Sequence, residues 1–86
     1  MPTWCYFLFR VKLGERYDLR LPRGGLVIEA PSEEEAVKRA YRAADAQLPC
    51  EDGEVVVCHP VRDHDSCHHA LLMHKDWIRV NAHLLN

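Results

Sequence analysis

The sequence predicts an α+β fold, an antiparallel sheet of four to five strands with one helix packed on one face, in the order ββαβββ. Three observations carry this. Residues 3–13 alternate as a strand does, residues 26–48 read as a strand, a turn and one capped helix, and residues 54–62 and 77–85 are again strand-like. With 86 residues the chain is expected to make a single domain, residues 1–86. A domain of this size buries only about 60% of the surface its unfolded chain exposes, so its core is modest.

In the first strand Cys5, Phe7, Phe9, Val11 and Leu13 share one face and Trp4, Tyr6, Leu8, Arg10 and Lys12 the other. The first set is expected to face the core. The second set is aromatic at its start and basic at its end. Its Trp4/Tyr6/Leu8 part is expected to lie under a loop or a second protomer, the latter giving a homodimer through this strand. Tyr17–Leu21 alternates too and reads as a short edge strand. The alternative is one long loop from Gly14 to Gly25 carrying Arg16, Arg20 and Arg23, a length uncommon without a function and a charge suited to an acidic partner.

Leu26-Val-Ile28 is an apolar, partly β-branched run that ends at Ala30, because Pro31 pushes the residue before it towards extended geometry. Ser32 is then a good N-cap, and Glu35 three residues later completes a capping box. Glu33 and Glu34 place negative charge at the positive end of the helix dipole. Val37, Ala40, Tyr41, Ala44 and Leu48 form one apolar stripe, opposite Glu34, Lys38, Arg42 and Asp45. Glu34–Lys38 and Glu35–Arg39 have the favoured order at i,i+4, and Pro49 stops the helix.

Glu54–Arg62 is expected to be a strand, placed at a sheet edge or ended by Pro60, which has no N–H to donate. Asp63–Ser66 reads as a loop, and Cys67–His74 fits either a helix or a short strand. Trp77–Leu85 alternates, with Ile78, Val80, Ala82 and Leu84 inside and Trp77, Arg79, Asn81 and His83 outside, and is expected to be the last strand.

Composition narrows the function classes. At 48% hydrophobic and 28% charged the chain is ordinary for a folded globular domain. A net charge of −2, with no basic patch, argues against direct binding of nucleic acid. No apolar run approaches the ~18 residues that a membrane span requires, so no membrane is expected as a partner. Met1-Pro-Thr-Trp4 has no basic leader and the apolar run breaks at Arg10 and Lys12, so no signal peptide is expected and the setting is cytoplasmic. Cys5, Cys50, Cys58 and Cys67 are then expected to be reduced.

The crowd of Cys58, His59, His64, Cys67, His68, His69 and His74 supplies zinc-type ligands without the usual spacing. If 54–62 and 67–73 formed a hairpin, Cys58 and Cys67 would stand roughly 13 Å apart, too far to share an ion. Cys67 with His64 or His69 is a second candidate, as a nucleophile pair, but nothing orients it beyond Asp63 and Asp65. No glycine-rich phosphate loop opens a helix. The expectation is therefore a non-enzymatic protein with no catalytic residue, no metal ligand and no cofactor. The alternative is a zinc-stabilised or Cys/His-dependent small module.

The first strand, Leu26-Val-Ile-Glu-Ala30 and the helix start Pro31-Ser-Glu-Glu-Glu-Ala-Val-Lys-Arg-Ala40 resemble a pattern common in small phage and mobile-element proteins. Over residues 4–48 the chain is similar to compact α+β anti-CRISPR proteins. That resemblance implies an inhibitor that binds a CRISPR effector nucleoprotein complex by surface contact, in the host cytoplasm if the chain is phage-encoded. From the residues themselves, the candidate partner-binding groups are the acids Glu33, Glu34, Asp63 and Asp65, and the aromatic–basic pair Trp77 and Arg79.

Overall fold

The computed structural model describes residues 1–81 and His83. In chain order the elements are β1 (Thr3–Lys12), β2 (Gly24–Glu29), α1 (Glu33–Gln47), β3 (Glu54–Val61) and α2 (His64–Asn81). The sheet is antiparallel with strand order β2-β1-β3. The class is α+β, as predicted, but three strands replace four or five, and a second helix makes the order ββαβα. The helices cover opposite faces: Tyr6 and Leu8 pack with α1, while the intervening Phe7 and Phe9 lie in the cluster that contains Ala70 of α2.

Both faces of β1 are thus core, and the Trp4/Tyr6/Leu8 face is covered by α1 of the same chain. Leu13 does not join the core. It follows the strand, is exposed, and its N–H donates to the Gly53 carbonyl at 3.0 Å across the turn before β3. β1 is the central strand, with Thr3–Leu8 matched by β2 and Cys5–Lys12 by β3.

α1 begins as the sequence predicts, with the Ser32 hydroxyl accepting the Glu35 N–H at 3.3 Å. Its buried stripe is Ala36, Ala40 and Ala44, with Leu48 beyond. Val37 and Tyr41, expected inside, are 37% and 39% exposed. The correction has a packing reason. Three alanines let the backbone come close to the sheet, and the larger side chains ride at the flanks. Tyr41 works from there: its hydroxyl accepts the outward N–H of Cys58 at 3.4 Å, on the rim of β3.

α2 is the element the sequence misassigned. Trp77–Asn81 forms its last turns, while Ala82, Leu84 and Leu85 of the expected strand lie outside the described residues. The more buried positions Cys67, Ala70, Leu71, His74, Trp77 and Asn81 fall at helical spacing. Two of them are polar, whereas Leu72, Ile78 and Val80 are exposed, so the apolar pattern does not follow the buried face. Gly25 lets α2 dock. A Cβ there would fall 2.5 Å from the Ala70 carbonyl oxygen and 2.8 Å from its Cα.

Residues 13–23 form the long loop rather than an edge strand. Tyr17 anchors it by stacking on Phe9, with ring centroids 4.6 Å apart, and Arg20 folds back onto Asp18 at 3.0 Å. β3 is an edge strand, as Pro60 required. The other edge, β2, is closed by side chains: the Val27 N–H donates to His74 Nδ1 at 3.1 Å, and Arg39 donates to the Glu29 carbonyl at 2.7 Å. Among the described residues no helix is long and apolar enough to cross a membrane.

Candidate functional site

Thr3 lies opposite Glu29 and Cys5 opposite Val61, so β1 starts at the end of the sheet where β2 and β3 finish. The helix that follows each of those strands therefore starts at this end too. The placement brings together four of the six predicted partner-binding residues. Glu33 and Glu34 stand in the first turn of α1, Asp65 in the first turn of α2, and Asp63 just before it. Arg62 bridges the two helix starts by an ion pair with Glu33 at 3.7 Å.

The four acids are not equally free. Asp63 caps α2: its carboxylate accepts the Ser66 N–H at 2.8 Å and its carbonyl accepts the Cys67 N–H at 3.0 Å. Those bonds from the Ser66 amide and hydroxyl hold the carboxyl below its ordinary value. Glu34 pairs with Lys38 at 3.7 Å. Asp65 is fully exposed, with only the His64 imidazole nearby at 3.7 Å.

Three hollows surround the first turns of α2. One of about 260 Å³ lies between the helix starts and is lined by Trp4, Tyr6, Glu33 and Arg62. Burial, and then the Glu33 charge, raise the Tyr6 hydroxyl above its ordinary value. A second hollow, about 380 Å³, runs along β3 past His59, Arg62 and Asp63 to Leu19 of the long loop. The third, about 230 Å³, is lined by Val27, His64, His68 and Leu71.

Cys5 and Cys67 line both the first and the third. The Cys67 thiol donates to the Val61 carbonyl at 3.3 Å, and Val61 is the cross-strand partner of Cys5. Burial, and then the neighbouring Cys67 thiol, push the Cys5 thiol up to about 11. No local pattern in the chain marks this pair. The two residues are far apart in the chain, and only the docking of α2 against β1 brings them together.

Trp77 and Arg79 lie elsewhere. They belong to the last turns of a helix, not to the outer face of a strand, and twelve residues of helix place Trp77 about 18 Å along the axis from Asp65. Trp77 is half-buried, and Arg79 pairs with Asp76 at 3.5 Å.

The cysteine–histidine crowd is dispersed by the fold. Cys58 is buried under α1, where desolvation and then Asp45 push its thiol up to about 12. Cys67 belongs to α2 and lies by Cys5 on the opposite face, so the hairpin that would have set it roughly 13 Å from Cys58 does not form. His69 meets the edge of Phe7, with centroids 5.4 Å apart, and His74 is committed to Val27. Among the described residues no three Cys, His, Asp or Glu side chains converge as a metal site would need. No family model, no curated protein and no solved structure matches this chain.

Proposed function

We propose that the chain is a small interaction protein that acts by surface contact through the end where α1 and α2 begin. The observation that carries this reading is the placement of Glu33, Glu34, Asp63 and Asp65 at the end where both helices begin, with Glu33 and Asp63 lining hollows there. Carboxylates held on rigid helix starts suit a cationic surface, such as the nucleic-acid groove of a DNA- or RNA-handling assembly, and speed its capture. The hollows are open and lack a converging catalytic set, which favours contact over turnover. The resemblance of residues 4–48 to anti-CRISPR proteins gives the proposal its specific form, in which the partner is a CRISPR effector complex.

The test is a phage-protection assay in cells with an active CRISPR system, run beside binding of purified protein to the effector. The wild-type chain is expected to protect a targeted phage. Glu34→Lys with Asp65→Lys is expected to slow association about tenfold at low salt and less at high salt. Trp77→Ala, at the far end, is expected to leave association unchanged. Absence of protection and of binding across effector types by folded protein would overturn the anti-CRISPR form. Binding that ignores both charge reversals would overturn the acidic end as the contact.

A further inference from the structure

We infer that Cys5 and Cys67 form a redox-active dithiol, a site at which a low-molecular-weight disulfide of the glutathione class closes an intramolecular disulfide between β1 and α2. The inference rests on the two thiols alone and not on the identity of any partner. Three placements carry it. Cys5 and Cys67 line the same two hollows, and the Cys67 thiol bonds the carbonyl of Val61, the cross-strand partner of Cys5. Both are held by regular structure, Cys5 in the central strand and Cys67 near the start of α2, with its thiol fixed on the Val61 carbonyl at 3.3 Å. Both line the open hollows on either side of them, so a disulfide of two tripeptides can present a sulfur to the pair from two sides.

The other two cysteines do not compete for this pairing. Cys58 is buried on the opposite face of the sheet, and Cys50 is exposed in the turn between α1 and β3. The histidines His64 and His68 border the third hollow beside the pair and offer proton acceptors for the thiol.

The exchange balances without a further reactant. Cys67 loses its proton to solvent or a neighbouring imidazole, and its thiolate attacks one sulfur of the small disulfide. One small thiolate leaves and takes up a proton, and a mixed disulfide remains on Cys67. Cys5 then gives up its proton and attacks the Cys67 sulfur, expelling the second small thiol. Two protein thiols are oxidised, one small disulfide is reduced to two thiols, and the new bond is Cys5–Cys67. Cys67 leads because Cys5, pushed up to about 11, is protonated near neutral pH. The same property makes Cys5 a poor leaving group, so the closed disulfide resists reduction by attack on Cys67.

The bond would tie the first turns of α2 to the central strand and close a loop of some sixty residues, which constrains the unfolded chain strongly. The experiment uses the full chain with Cys50→Ser, which removes the exposed thiol. The protein is equilibrated in glutathione buffers of increasing oxidation, quenched by alkylation and weighed. The expected result is a loss of two alkylatable thiols without added glutathione mass, a Cys5–Cys67 linked peptide on digestion, and a rise in Tm on the order of 10 °C that dithiothreitol reverses. Cys67→Ser, added to that background, is expected to show no linked peptide and no rise. Three alkylatable thiols retained at a poise that oxidises a reference dithiol would overturn the inference. So would separate glutathione adducts on Cys5 and Cys67, or an equal Tm rise in the Cys67→Ser protein.

Discussion

α1 and α2 cover the two faces of one three-stranded sheet by different means. On the α1 face the helix supplies the small residues, Ala36, Ala40 and Ala44, and the sheet supplies the large ones, Tyr6, Leu8 and Leu26. On the α2 face the smallest residue comes from the sheet. Gly25 admits the backbone of Ala70, and Phe7 and Phe9 fill the space beside that contact. Both helices also reach the sheet edges, α1 through the Tyr41 hydroxyl on Cys58 of β3 and Arg39 on Glu29 of β2, and α2 through the His74 imidazole on Val27. The α1 contact is spread along an alanine stripe and tolerates small adjustments. The α2 contact includes a backbone approach at Gly25 and one imidazole bond at the sheet edge, so single substitutions there should be felt most.

The largest expected effect is at Gly25. In Gly25→Ala the new methyl would meet backbone atoms of Ala70, which cannot rotate away as a side-chain end can. Overpacking of this kind costs about 3 kcal/mol. Denaturant melts should show that loss, and amide exchange should show α2 losing protection before α1. A variant that melts with the wild type would mean that α2 is not seated on β2 as described.

That asymmetry also explains what could be read from the chain. β1, β2, α1 and β3 were legible because local signals agree there: alternation in Thr3–Lys12, the Ser32–Glu35 capping box, and the valine run ended by Pro60. α2 was not, because the residue that specifies its docking, Gly25, lies about forty positions earlier and reads locally as part of a turn. His74 and Asn81 sit on its more buried side while Leu72 and Val80 face out, so the apolar period misleads. The candidate site divides in the same way. Glu33 and Glu34 were legible as helix-start chemistry, whereas Asp63 and Asp65 read as part of a loop, and the convergence of the four depends on both helices following strands that end at one edge. The Cys5–Cys67 pair was not legible at all, since it exists only once α2 crosses β1.

The α2 edge contact should also make stability depend on pH. His74 Nδ1 accepts the Val27 N–H, so the ring must be neutral there, and burial holds its pKa below the ordinary 6.5. The unfolded chain therefore binds a proton more readily than the folded one. The contribution is fully present above about 6.5 and is lost as pH falls through the depressed folded value. His74→Leu should remove it at neutral pH, leaving the Val27 N–H unpaired at a cost of about 1–3 kcal/mol. His74→Asn, which offers an oxygen in place of Nδ1, should recover part of the stability and flatten the acid limb in denaturant melts from pH 7 to 5. An unchanged acid limb in the asparagine variant would assign that limb to the other histidines.

The two helix starts allow a smaller and more direct comparison. Ser32→Ala removes the hydroxyl that accepts the Glu35 N–H and should cost about 1 kcal/mol. Asp63→Ala removes a shorter, charged cap on the Ser66 N–H and should destabilise the fold more than Ser32→Ala does. Asp63→Asn keeps a capping oxygen and should behave close to wild type at neutral pH. If Ser32→Ala proves the costlier, the start of α2 is held by something other than its cap.

The smallest expected effect lies where α1 ends. The Gln47 side chain turns in against Gly24, and its amide oxygen and nitrogen are buried with no partner among the described residues. An amide in that position loses its water and gains nothing in return. Methionine has nearly the same length and shape and no polar group to satisfy. Gln47→Met should therefore be neutral or stabilising, by up to about 1 kcal/mol, at a position where most substitutions would destabilise. Gln47→Glu is the opposing control, because burying a charge in that place carries a desolvation cost and should destabilise. The pair distinguishes a buried amide from one that swings out to water. If both variants melt with the wild type, the side chain is solvated and Gly24 is not in contact with it. If methionine gains and glutamate loses, the last turn of α1 is packed as tightly against β2 as its alanine stripe.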